Sequence, residues 1–252
     1  MIVAAHQPHY LPWLGYLDKL AKADLFIVMD DLQFEAQNFQ NRQRVKLPDG
    51  PAWLTVPLAH GAQTDRVCDK EIEPSSSPKQ CWRHRHFSTL ETNYRRAPYW
   101  SHYADQLREV YARPWTRLVD VDFEMLALAR EWLGIRTPVM RASQLGLNGT
   151  KTDRLIDLCK KTGARAYLTG AGGSQSYLDV EKMGRAGVGV IWQSFEHPVY
   201  PQRYERGFDS HLGFLDLVLN CGPASRDVLF ASSHPSRIPA PRIEPHYMEA
   251  AA

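Results

Sequence analysis

The chain has 252 residues, 44% hydrophobic and 23% charged, with a net charge of +2. That is long enough to bury a sizeable core and ordinary for a soluble globular protein, which sets aside the disordered and fibrous classes. The near-neutral balance gives no footing for nucleic acid, and Cys68, Cys81, Cys159 and Cys221 form no CxxC pair, so neither a zinc site nor a disulfide framework is indicated.

The opening stretch, Met1 to Phe34, organises the rest. Ile2 to Ala5 is a short apolar run that predicts a strand, and His6-Gln7-Pro8-His9-Tyr10 is a donor-rich loop in which Pro8 and Pro12 disfavour helix just before them. A helix is expected from Pro12 or Trp13, with Leu14, Leu17, Leu20 and Ala21 at helical spacing, followed by a second strand over Leu25 to Met29. Strand, loop, helix and strand in that order predict a mainly parallel sheet flanked by helices, an α/β architecture that binds ligands at the carboxyl edge of its strands. His6, Gln7 and His9 then face the mouth of the sheet, and Asp30, Asp31 and Gln33 close its other side. Tyr10 and Trp13 belong to the same loop. Convergence of two histidines with carboxylates points to proton transfer or charge stabilisation, which assigns His6, His9, Asp30 and Asp31 as catalytic candidates.

Glu35 to Lys46 is dense in amides and basic groups, and Asn41 and Arg42 are its candidates for gripping a phosphate or carboxylate. Pro48 to Pro51 reads as a turn, and Trp53 to Leu58 as a strand. From Gln80 to Tyr103 aromatic and basic residues alternate, as in an amphipathic helical hairpin, and Thr116 to Leu133 is a helix stopped by Gly134. Ile135 to Arg141 predicts a strand and Thr150 to Thr162 a helix ended by Gly163. The strand Ala166 to Thr169 runs into Gly170-Ala171-Gly172-Gly173, where glycines let the backbone lie close to a ligand and Tyr177 adds a hydroxyl. The spacing is neither a P-loop nor GxGxxG. Val188 to Trp192 is a further strand, followed by a loop carrying His197 and Gln202 as further binding candidates, and Leu212 to Leu219 is a late helix. The predicted layout is one α/β domain over 1–230, a mainly helical insertion over about 80–134, and a proline-rich tail over 231–252. No run of ~18 apolar residues and no basic leader with a cleavage site is present, so a cytoplasmic protein without a membrane segment is expected.

With these segments in hand, the chain resembles the WbqC-like family over essentially Met1 to Pro223. The resemblance is carried by Gln7, Pro8, Tyr10 to Trp13, Gly15 and Tyr16, then Asp24, Asp30, Asp31, Gln33 and Phe34, and later by Asn41, Arg42, the WLTVP run from Trp53, the YLTG of Tyr167 to Gly170, His197, Pro198, Tyr200 and Gln202. That family is known chiefly from gene clusters for O-antigen and other surface glycans and for natural products. The resemblance implies a transferase or amide-forming ligase that modifies a sugar, amino-sugar or natural-product precursor with an activated acyl or aminoacyl donor. The alternative it implies is a non-catalytic nucleotide-sugar-binding or scaffolding protein of a glycan assembly complex. A second likeness, in fold, is to nucleotidylyltransferases and pantothenate synthetase, with their Rossmann-like sheet and ATP-binding histidine loop. The chain departs from them in lacking HxGH spacing and a KMSKS-like stretch, so the cofactor is left open between ATP and another nucleotide. The partner expected is a small molecule, perhaps nucleotide-linked, with self-association left open and no metal assigned.

Overall fold

The computed structural model describes residues 1–62, 64–75, 77, 81–170, 172 and 176–231. Its core is a five-stranded, wholly parallel sheet made of β1 (Ile2–His6), β2 (Leu25–Val28), β5 (Val139–Arg141), β6 (Ala166–Thr169) and β7 (Gly189–Trp192), in the order β5-β2-β1-β6-β7. β1 lies at the centre, with Val3 opposite Leu25 on one side and Tyr167 on the other. The arrangement is the Rossmann-like α/β fold expected.

Strand composition explains the layering. A parallel strand is covered on both faces, so its residues run apolar without interruption while alternating between two cores. Ala4, Phe26, Val28 and Leu168 enter the larger core, and Val3, Ala5, Ile27, Met29 and Tyr167 enter the smaller one. The larger core is roofed by α1 (Leu14–Ala21), α2 (Trp82–Tyr94), α3 (Trp100–Ala112), α4 (Leu118–Trp132) and α7 (Phe214–Cys221), the smaller by α5 (Lys151–Thr162) and α6 (Val180–Arg185). Leu14, Leu17 and Leu20 of α1 are fully buried, each stabilising by about 2 kcal/mol as an upper bound.

Three boundaries differ from expectation. The basic segment after Asp31 contributes a strand, β3 (Arg42–Leu47), which pairs antiparallel with β4 (Gly50–Thr55), and the turn is tighter than its prolines suggest because Gly50 adopts φ +119 and pairs with Leu47. Arg42, Arg44 and Lys46 hid that strand by masking its alternation. Two short helices, α6 and α8 (Ser225–Ala231), were not foreseen. The proline-rich segment from Ser232 onward lies outside the described residues. No described helix is long and apolar enough to cross a membrane.

Candidate functional site

The strand order reverses between β1 and β6: the chain leaves β1 for β2 on one flank and β6 for β7 on the other. Helices that follow diverging strands open a crevice beyond the strands' carboxyl ends. A cavity of about 750 Å³ occupies that place, lined by His6 and Gln7 after β1, Trp13, Tyr16 and Lys19 of the following loop and helix, Gly170 and Gly172 after β6, and Gln193 and Phe195 after β7. Lys151, Arg154 and Tyr177 line the opposite wall.

The floor is cationic and poorly partnered. Lys19 is 5% exposed, its ammonium reaches only the carbonyl of Ala5 at 3.3 Å, and among the described residues no carboxylate pairs with it. Burial without a counter-charge disfavours the ammonium, and the amine is pulled down to about 7. His6 and His9 meet edge to face at 4.7 Å. Burial first, then the neighbouring Lys19, holds both imidazoles below their ordinary value, His9 at about 3. Nδ1 of His6 donates to the carbonyl of Gln7 at 3.1 Å, leaving Nε2 as the acceptor of a neutral ring. Tyr16 is 2% exposed, packs 5.0 Å from both histidine rings, and its hydroxyl has no protein partner.

The walls are braced. Arg154 is paired with Asp31, its Nη1 donates to the carbonyl of Leu147 at 3.0 Å, and its buried Nε–H has no partner. Glu35 accepts from Gln7 at 2.9 Å and from Asn38 at 2.7 Å. Gln193 donates to the carbonyl of Gly15 at 2.8 Å and to Asp18 at 2.7 Å, tying the end of β7 to α1. Trp13 stacks on His211 at 5.2 Å and meets Phe195 edge to face at 5.6 Å, so one end of the cavity is aromatic.

Of the residues singled out from sequence, the cavity gathers His6, Gln7, Trp13, Gly170, Gly172 and Tyr177, with His9 packed against His6 and Asp31 holding Arg154. The others sit elsewhere. Asp30 is fully buried and accepts from the N–H and hydroxyl of Ser143 at 2.9 and 2.8 Å, binding the end of β2 to the turn after β5. Tyr10 is sealed in the larger core against His86 and Tyr111. Gln33 forms a bridge to Arg66, and Asn41 donates to the carbonyl of Val56 at 2.9 Å. Arg42 lies over the Trp53 ring at 4.2 Å. His197 accepts from the N–H of His211 at 3.1 Å, and Gln202 bridges Lys46 and Asp216 at 2.9 and 2.8 Å. Gly173 lies outside the described residues.

Sequence reasoning passed over Lys19, Tyr16, Glu35 and Gln193. A signal for the first two existed: Leu14, Tyr16, Leu17 and Leu20 cover so much of α1's circumference that Lys19, three residues after Tyr16, has no wet face to occupy. Among the described residues no group of three or more His, Cys, Asp or Glu could hold a metal ion.

A model of the WbqC-like protein family matches residues 7–228. The chain is 31% identical over 230 residues to "Uncharacterized protein Rv1507c" of Mycobacterium tuberculosis strain H37Rv, covering 90% of this chain and 96% of that protein. No solved structure matches.

Proposed function

This chain belongs to the WbqC-like protein family, and we propose that it is an enzyme of transferase or amide-forming ligase type, acting at the β1/β6 crevice on an amino-sugar or natural-product precursor with an activated acyl or aminoacyl donor. The observation that carries this reading is Lys19, a buried amine without a carboxylate partner, lining the cavity and poised near 7. A base matched to the working pH is the most effective proton acceptor, and holding a lysine unpaired in a protein interior is costly unless something uses it.

In the proposed step the acceptor's amine attacks the donor's carbonyl carbon. A C–N bond forms, the bond from that carbon to the leaving oxygen breaks, the electron pair departs on that oxygen, and the amine's proton passes to Lys19. The ammonium so formed sits where the leaving anion gains its charge. Nε2 of His6, neutral and facing the same space, orients the attacking amine by accepting a hydrogen bond. The aromatic end at Trp13 and Phe195 suits the flat face of a sugar or base.

The test is a screen of nucleotides, nucleotide sugars and acyl or aminoacyl donors by thermal shift, followed by turnover with the ligands that raise the melting temperature. Lys19→Met is expected to keep the fold and lower kcat by about 100-fold or more, as loss of a general base does. Undiminished turnover in that variant sinks the assignment; tight binding with no turnover by the unmodified chain favours the non-catalytic, ligand-holding alternative.

A further inference from the structure

We infer that the crevice seats a phosphate-type oxyanion on Lys19, Tyr16 and Arg154, and that the protein takes up a proton as the anion enters. The site stands on geometry; only the identification of the anion with the donor's leaving group rests on the reaction proposed above.

Three donors line the cavity with nothing to donate to. The hydroxyl of Tyr16 and Nε–H of Arg154 are buried and unpartnered, and the Lys19 amine has a single long contact at 3.3 Å. An unmet buried donor costs about 1–3 kcal/mol, so three at one cavity amount to a cradle that an acceptor-rich ligand completes. A tetrahedral oxyanion, with three or four acceptor oxygens and formal charge, meets all three. A neutral carbonyl has too few lone pairs. The carboxylate on the lining does not compete, because Glu35 already accepts from Gln7 and Asn38, and Asp31 is engaged by Arg154.

Proton uptake follows from the surroundings of Lys19. On the β1 side it faces His6 and His9, on its own helix Tyr16 and the Lys22-paired Asp18, from β6 Tyr167, and across the cavity Glu35 and Arg154. The carboxylates among these are spent on other cations or amides, and the imidazoles are held neutral, so the amine shares its proton with solvent near neutrality. A bound dianion supplies the missing counter-charge and restores the ammonium.

Sulfate is the probe, since it does not titrate above pH 3 and any proton taken up belongs to the protein; pyrophosphate and malonate separate phosphate-type from carboxylate recognition. Calorimetric titration of the full chain in two buffers of different ionisation enthalpy is expected to show uptake of a fraction of a proton at pH 7 rising towards one at pH 8.5. Affinity should weaken by up to about tenfold per pH unit over that range. Lys19→Met should bind sulfate at least tenfold more weakly and without pH dependence, and Lys19→Arg should bind it with the dependence gone. No binding of sulfate or pyrophosphate, binding of malonate alone, or binding with no proton uptake by the unmodified chain would each overturn the inference. The last readout needs no variant to fold. Anion binding with proton uptake but no turnover on any donor would refute the proposed reaction and leave this site standing.

Discussion

Asp30 shows how a single residue's environment decides its role. Its carboxylate ends β2 at the carboxyl edge of the sheet, yet both oxygens are consumed by Ser143 and none of its surface is exposed. Asp30→Ala strands two donors in the interior, an expected loss of about 2–4 kcal/mol by urea unfolding, whereas Asp30→Asn keeps an acceptor for the Ser143 N–H and should lose about 1 kcal/mol or less. Turnover that collapses in the asparagine variant while stability holds would return Asp30 to the chemistry. Lys19 is the converse case: nothing in its local sequence marks it, but the tertiary setting strips it of every counter-ion.

At the scale of the element, α1 is positioned by close approach as much as by propensity. Alanine is the better helix former, by about 1 kcal/mol over glycine. At Gly15, however, an added Cβ would stand 2.2 Å from the Trp13 ring, which lies across the first turn and stacks on His211. Overpacking of that kind costs about 1–3 kcal/mol. Gly15→Ala should therefore lower the melting temperature rather than raise it, and should weaken binding of ring-bearing ligands as Trp13 is driven from the cavity wall. A higher melting temperature with unaltered affinity would show that Trp13 relaxes without consequence.

For the molecule as a whole, the buried bases set the pH response. His9 and His86 are held at about 3 and about 4 in the fold, against about 6.5 when unfolded. The unfolded chain therefore binds more protons below 6.5, and stability falls as pH drops from about 6.5 towards 4. Asp216, raised to about 6 by burial, acts in the opposite sense over part of that range, since its folded form holds the proton more tightly and loses stability as pH rises through 6. Two imidazoles against one carboxyl leave the net slope positive. Lys19, at about 7 in the fold and about 10.4 when unfolded, adds a second rise between pH 7 and 10. Urea unfolding across pH 7 to 9.5 should show this rise in the unmodified chain and a flat profile in Lys19→Met, which should also be the more stable of the two at pH 7. A rise that persists in the variant would place the proton elsewhere.

The order of strands and helices along the chain, the parallel sheet and the mouth at its carboxyl edge were legible without coordinates. Continuous apolar runs such as Ile2 to Ala5 and Leu25 to Met29 can exist only where both faces of a strand are covered, and the loop after the first such strand must open at that edge. Which polar side chains turn into the mouth was settled by tertiary structure alone. Asp30 found Ser143, 113 residues away, and Tyr10 found Tyr111, while Lys19 found no partner of opposite charge. Hydrogen-bond satisfaction is a long-range property, so a donor's or acceptor's freedom to meet a ligand depends on groups that are near it in space and distant in sequence.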